Sequence, residues 1–136
     1  MDAEGAREFV RANHHAVLAT YRQDGRPQLS PVTAGVGADG RLRVSTRETA
    51  VKTRNIRRDP RVSLCVLTDG FFGPWAQVDG TAEVVELPDA LELLVAYYRD
   101  ISGEHPDWDD YRAAMERERR VMLLIDVERA GPTVSG

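Results

Sequence analysis

The segment ETAVKTRNIRRDPR, Glu48 to Arg61, concentrates the residue types that bind anions. Of the 18 lysine and arginine residues in the chain, only Lys52 is a lysine. On a solvated surface the two types are exchangeable, and codon usage accounts for an arginine bias. Where a compact, flexible point charge is needed, the planar guanidinium does not replace an ammonium. Read as a helix, the segment sets Lys52, Asn55 and Ile56 on one face and Arg54, Arg57, Arg58 and Arg61 mostly on others. A lysine beside an amide donor near a helix N-terminus suits a phosphate, which also gains from the free backbone N–H groups there. A merely solvated basic face is the alternative that these residues leave open.

Other reactive types offer less. His14 and His15 precede a strand-like run, and His105 lies among carboxylates in GEHPDWDD. Neither place has the convergent spacing of a metal site. The acids after His105 read as a helix cap, favourably placed at the positive end of the helix dipole. Cys65, between apolar neighbours, reads as a small buried group and not as a nucleophile. There is no G-x-S-x-G elbow, phosphate-binding P-loop or G-x-G-x-x-G turn, so serine hydrolase, P-loop nucleotidase and Rossmann dehydrogenase lack their motifs. Trp75 opens a strand after the GFFGP loop, where it would serve equally as a pocket wall or as core.

The elements that must position these residues follow from periodicity and turn chemistry. Residues 1–14 form a short amphipathic helix, with Ala6, Phe9, Val10 and Asn13 at helical spacing. HAVLATYR, RPQLSPVTAGV and RLRVST are strand-like and are separated by Asp24-Gly25 and Asp39-Gly40, both hairpin signals. The basic helix ends at Asp59-Pro60, because the residue before proline disfavours α geometry. RVSLCVLT and WAQVDGTAEVVEL are strands, and Gly80 in the second marks a bulge or a close backbone approach. DALELLVAYYRDI and a segment capped by Asp107 are helices, RVMLLIDVE is a closing strand, and residues 130–136 are a tail. The order βββ-α-ββ-αα-β has no βαβ alternation and predicts a single α+β, mainly β domain over residues 1–136, an antiparallel barrel with peripheral helices.

Composition narrows the class. A chain of 136 residues with 42% hydrophobic and 29% charged residues can bury one core. The net charge of -4 argues against nucleic acid as a partner. One cysteine suits a reducing compartment, and no apolar run approaches a membrane span, so a cytoplasmic protein is expected.

Taken in order, HAVLATYRQDGRPQLSPV, VSTRETAVKTRNIRRDPRVSLCV, VDGTAEVV and YYRDISGEHPDWDDYRAAMERERRVMLL resemble the pyridoxamine 5'-phosphate oxidase-like split β-barrel superfamily. More narrowly, the chain is similar to the actinobacterial reductases that use the deazaflavin coenzyme F420. KTRNIRRDPR and GEHPDWDDYR are the specific parts. The resemblance implies an FMN-binding-like split barrel and a homodimer that holds its cofactor in clefts at the subunit interface. It implies hydride transfer from reduced F420 to an electron-poor double bond of a small organic substrate. FMN as cofactor, or a flavin- or deazaflavin-binding protein without turnover, are the alternatives.

The resemblance also implies site residues. Lys52 takes the cofactor phosphate with Asn55 beside it, and Ser45 and Thr46 end the strand before that helix. Gln28, Ser30, Pro31 and Val32 belong to the segment that backs the ring, and Trp75 lies near the ring. No residue is singled out as catalytic. Relatives often carry an arginine two residues before the lysine, where this chain has Ala50, which shifts phosphate binding onto Lys52 or Arg54. The C-terminal DVERAGPTVSG lacks the Arg-x-His of the pyridoxamine phosphate oxidases proper, which argues against oxidation of the vitamin itself.

Overall fold

A computed structural model describes residues 1–132. Its elements are α1 (Ala3–Ala12), β1 (His15–Tyr21), β2 (Pro27–Val36), β3 (Leu42–Arg47), α2 (Val51–Arg58), β4 (Arg61–Leu67), β5 (Trp75–Val85), α3 (Ala90–Ser102), α4 (Trp108–Arg117) and β6 (Arg120–Gly131). The strands close a barrel in the order β1-β2-β3-β6-β5-β4, and every neighbouring pair is antiparallel. This is the α+β architecture expected from the element order.

Local chemistry explains the turns. Gly25 and Gly40 have φ of 88° and 83°, a region open to glycine without strain. The preceding aspartates accept from the amides of Arg26 and Arg41, each at 3.0 Å. Asp107 caps α4 through the Asp110 amide at 3.1 Å. At Gly80 the β5–β6 register shifts, and a Cβ there would lie 2.0 Å from the carbonyl oxygen of Asp126. Only glycine allows the two strands to approach so closely, which is the approach read from the sequence.

Alternation along the strands fills the barrel. Leu18, Leu42, Val44, Leu64, Val78, Leu123 and Ile125 are buried in one cluster, and Ala6 and Val10 of α1 join it. Ile56 of α2 enters the same cluster from the segment after β3. The other face of β6 supports α3 and α4, where Met122 and Leu124 pack with Leu94, Val95 and Tyr111. The expected tail begins later than the sequence suggests. Ala130 and Gly131 pair with Val78 and Gln77, extending β6 along the long β5 strand. The rest of the tail, 133–136, lies outside the described residues. Among the described residues no helix is long and apolar enough to cross a membrane.

Candidate functional site

The site is a consequence of strand pairing that stops short. β2 pairs with β3 only through Ala34, Gly35 and Val36, whereas β2 continues back to Pro27 and β3 continues on to Arg47. The two strands diverge beyond Ala34 and Val44, and a cleft of about 630 Å³ opens between them. Pro31, Val32 and Thr33 form one wall, and Ser45 and Thr46 form the other. Tyr97 of α3 stands at the fork and donates its hydroxyl to the Thr33 carbonyl at 2.7 Å.

Pairing also decides what β2 shows the cleft. The Ala34 amide donates to the His14 carbonyl at 2.7 Å. In an antiparallel ladder directly opposed pairs alternate between bonded and non-bonded, so Val32, Ser30 and Gln28 spend their backbone groups on β1. Leu29, Pro31 and Thr33 therefore turn theirs toward the split. The side chains follow the opposite rule. Ser30 lies opposite the fully buried Leu18, so it faces the barrel interior, where its hydroxyl has no hydrogen-bond partner. Gln28 lies opposite the buried Thr20 and accepts from its hydroxyl at 3.4 Å.

Lys52 reaches the cleft from the first turn of α2, whose N-cap is Ala50 and has no side-chain cap. Burial, and then the nearby Arg120 guanidinium, push its ammonium below the usual lysine range. Among the described residues no carboxylate forms an ion pair with it, Glu48 and Glu118 being paired with Arg119 and Arg120. Arg120, the first residue of β6, lines the same cleft, with its Nε and Nη2 donating to Glu118 at 3.1 and 3.0 Å. The far wall is aromatic and apolar, made by Tyr98, Tyr111 and Met115. The Tyr111 hydroxyl donates to the Leu94 carbonyl at 2.9 Å, and burial pushes its pKa up to about 12. Burial likewise raises that of Tyr97. Both phenols are therefore neutral positioning groups at ordinary pH.

Of the residues expected here, Pro31, Val32, Ser45, Thr46 and Lys52 come together in the cleft. Gln28 and Ser30 sit behind its β2 wall. Asn55 is buried instead of sharing the Lys52 face: its amide donates to Thr20 Oγ1 at 3.1 Å, and its carbonyl oxygen accepts from Arg58 at 3.1 Å. The three-residue step that aligns them on a helical wheel leaves Lys52 at the rim and Asn55 against the barrel. Arg54 is exposed and donates to the Thr49 carbonyl at 3.2 Å. Trp75 lies two strands from His15, through Leu67, and borders a separate cleft with Gln77, Asp79 and Arg129.

Sequence reasoning missed Tyr97, Tyr111, Met115 and Arg120. The RERR run before β6 was the available signal for Arg120. The tyrosines gave none, because helical aromatics beside Leu94 read as ordinary core. Among the described residues no group of three or more histidine, cysteine or acidic side chains could hold a metal ion.

What the arrangement can hold is a planar, polar-edged ring with an anionic arm. The outward backbone groups of β2 suit the ring's polar edge, the aromatic wall suits its faces, and the Lys52 ammonium suits an anion. The model of the pyridoxamine 5'-phosphate oxidase family matches residues 3–133. The structure is similar to that of a conserved hypothetical protein from Mycobacterium tuberculosis, at 26% identity and TM-score 0.77, covering 100% of this chain and 93% of that one. It is also similar to a protein described as an F420 reductase, at 21% identity and TM-score 0.70, covering 92% and 94%. The heme storage protein HutZ from Vibrio cholerae shares the fold at 19% identity and TM-score 0.71, covering 94% and 92%.

Proposed function

The chain belongs to the pyridoxamine 5'-phosphate oxidase family, and on that premise we propose that it is an oxidoreductase dependent on the deazaflavin coenzyme F420. Its acceptor is an electron-poor double bond of a small organic molecule. The observation that carries this reading is Lys52, a half-buried cation with no carboxylate partner among the described residues, at the end of a cleft whose walls suit a flat heterocycle. The residues quoted for the F420-dependent branch, and a fold shared with a protein described as an F420 reductase, support the deazaflavin over FMN.

When bound, the reduced ring supplies the hydride. The chain supplies position. Lys52 holds the phosphate. The backbone groups of Leu29, Pro31 and Thr33 would meet the ring's polar edge, and the Tyr97 hydroxyl, donating to the Thr33 carbonyl, ties α3 to the β2 wall. Tyr98, Tyr111 and Met115 exclude water from the ring's side of the cleft. Holding acceptor and donor carbons in contact provides most of the rate gain such a transfer needs. No cleft side chain is required as the donor of the proton that completes the reduction, and solvent can supply it.

The reading includes a homodimer. The outward face of β2-β1-β4-β5 carries Pro31, Val17, Cys65 and Gln77 in one row and Leu29, Ala19, Ser63 and Asp79 in the next. Leu29 is 62% exposed and Trp75 37% exposed. A second copy on this sheet face, apolar on β1 and β2 and polar toward β5, brings its own Trp75 rim toward the mouth of the cleft.

Titration with F420 and with FMN, followed by anaerobic mixing of the reduced complex with activated alkenes, tests the function. Tighter F420 binding with acceptor-dependent reoxidation is expected. Tighter FMN binding moves the assignment to a flavin oxidoreductase, and tight F420 binding without reoxidation by any acceptor moves it to a cofactor-binding protein.

A further inference from the structure

We propose that Glu118 sets the charge preference of the cleft's anion site, favouring a phosphate with one negative charge over a phosphate with two. This rests on reading the cleft as a cofactor site. Two cations face the cleft, Lys52 and Arg120, and they differ in how they are compensated. Among the described residues no carboxylate forms an ion pair with Lys52. Arg120 has both Nε and Nη2 on one oxygen of Glu118, at 3.1 and 3.0 Å. The same oxygen accepts from Nη2 of Arg47 at 3.3 Å. Arg119, the residue between, is committed elsewhere: its Nε and Nη2 donate to Glu48 at 3.2 and 3.1 Å.

The charge facing a ligand is therefore close to one full positive unit at Lys52, whereas that of Arg120 is partly compensated by Glu118, which it shares with Arg47. A phosphate monoester carries about 1.5 to 2 negative charges at neutral pH, and a phosphate diester carries one. A diester is satisfied by Lys52 alone and leaves the contacts of Glu118 with Arg120 and Arg47 intact. A monoester brings a second charge that must compete with Glu118 for Arg120. In a half-buried cleft that competition is screened less than it would be on an open surface. FMN presents a monoester, whereas the side chain of F420 presents a diester, so one carboxylate outside the cleft lining gives the site a physical basis for choosing between them. The pair is part-buried and joins residues two apart at the start of β6, so the melting temperature of Glu118→Gln is read beside binding and should stay close to that of wild type.

The test displaces bound F420 with riboflavin, FMN and the cyclic phosphate diester of FMN, three ligands with one ring and increasing or decreasing charge on one arm. Wild type, Glu118→Gln, Glu48→Gln and Lys52→Gln are compared at constant ionic strength. Glu118→Gln should tighten FMN about five-fold relative to the cyclic diester, from the loss of one nearby charge, and leave riboflavin unchanged. Glu48→Gln, which removes an acid paired away from the cleft, should leave that ratio within about two-fold. Lys52→Gln should remove the advantage of both phosphates over riboflavin. If it does not, the reading of the cleft itself fails. If it does, while Glu118→Gln shifts FMN and the diester equally or shifts neither, the role of Glu118 alone is overturned.

Discussion

Two cationic residues on one short helix separate a binding group from a surface group. Lys52 faces the cleft without a carboxylate, whereas Arg57, on another face of α2, is paired with Glu86. Lys52→Gln should therefore weaken F420 binding by about 1.5 to 3 kcal/mol, the usual worth of a charge-assisted hydrogen bond. Arg57→Gln should cost far less, and equal losses measured by titration would make the site a diffuse basic surface. Lys52 also gives binding a pH dependence of definite sign. Burial and Arg120 lower its pKa in the free protein, and a bound anion favours its charged form, so binding takes up a proton where the free ammonium has lost one. Affinity should fall as pH rises through the depressed value, beginning below the ordinary lysine pKa of about 10.4. Lys52→Arg should bind more weakly, because the planar fork does not fit a point-charge socket, yet its affinity should stay flat over that range. A fall of the same shape in both proteins would place the titrating group elsewhere.

Helices, strands and turns were legible wherever local chemistry decided them. Asp24-Gly25 and Asp39-Gly40 became turns, Asp59-Pro60 ended α2, and Asp107 capped α4, because each depends on neighbours within a few residues. The site was less legible, because it depends on register. Whether Ser30 faces cleft or barrel is settled by its lying opposite Leu18, a pairing between residues 12 apart in sequence that no local pattern announces. The same holds for Asn55, whose partner Thr20 is 35 residues away. Its buried amide ties α2 to β1, so Asn55→Ala should lower stability by about 2 kcal/mol through the lost hydrogen bonds with Thr20 and Arg58 and a lost packing group. Cofactor affinity should suffer less than in Lys52→Gln, as melting and titration on the same samples will show. Gly80 is the opposite case, a position whose role the sequence did announce. An added methyl meets the Asp126 carbonyl oxygen, which belongs to the backbone and cannot swing away. Gly80→Ala should cost about 3 kcal/mol or more in chemical denaturation, and a near-neutral result would mean that β5 and β6 separate freely there.

At the scale of the molecule, the helices are unevenly distributed. α3 and α4 pack on β6, and α1 contributes Ala6 and Val10 to the barrel core, while the outward face of β1 and β4 stays open. Val17 lies at the middle of that face, opposite Pro31 on one side and Cys65 on the other. Its neighbours inside the strand, Ala16 and Leu18, are the ones that fill the barrel. A charge at position 17 therefore points away from the core and should leave the barrel folded. If a second copy covers this face, burying more than roughly 1,000 Å² as a stable contact requires, Val17→Arg places two like charges close to the two-fold axis. Sedimentation at low micromolar concentration should then change from a dimer to a folded monomer, with cooperative melting retained. Ala113→Arg, on the exposed side of α4, should remain dimeric. Affinity for F420 should fall at least ten-fold in the Val17 variant, because a cleft built at an interface loses one wall when the partner leaves. A Val17→Arg monomer that binds as tightly as wild type would show that the split between β2 and β3 holds the cofactor alone, and the partner would then have no part in the site.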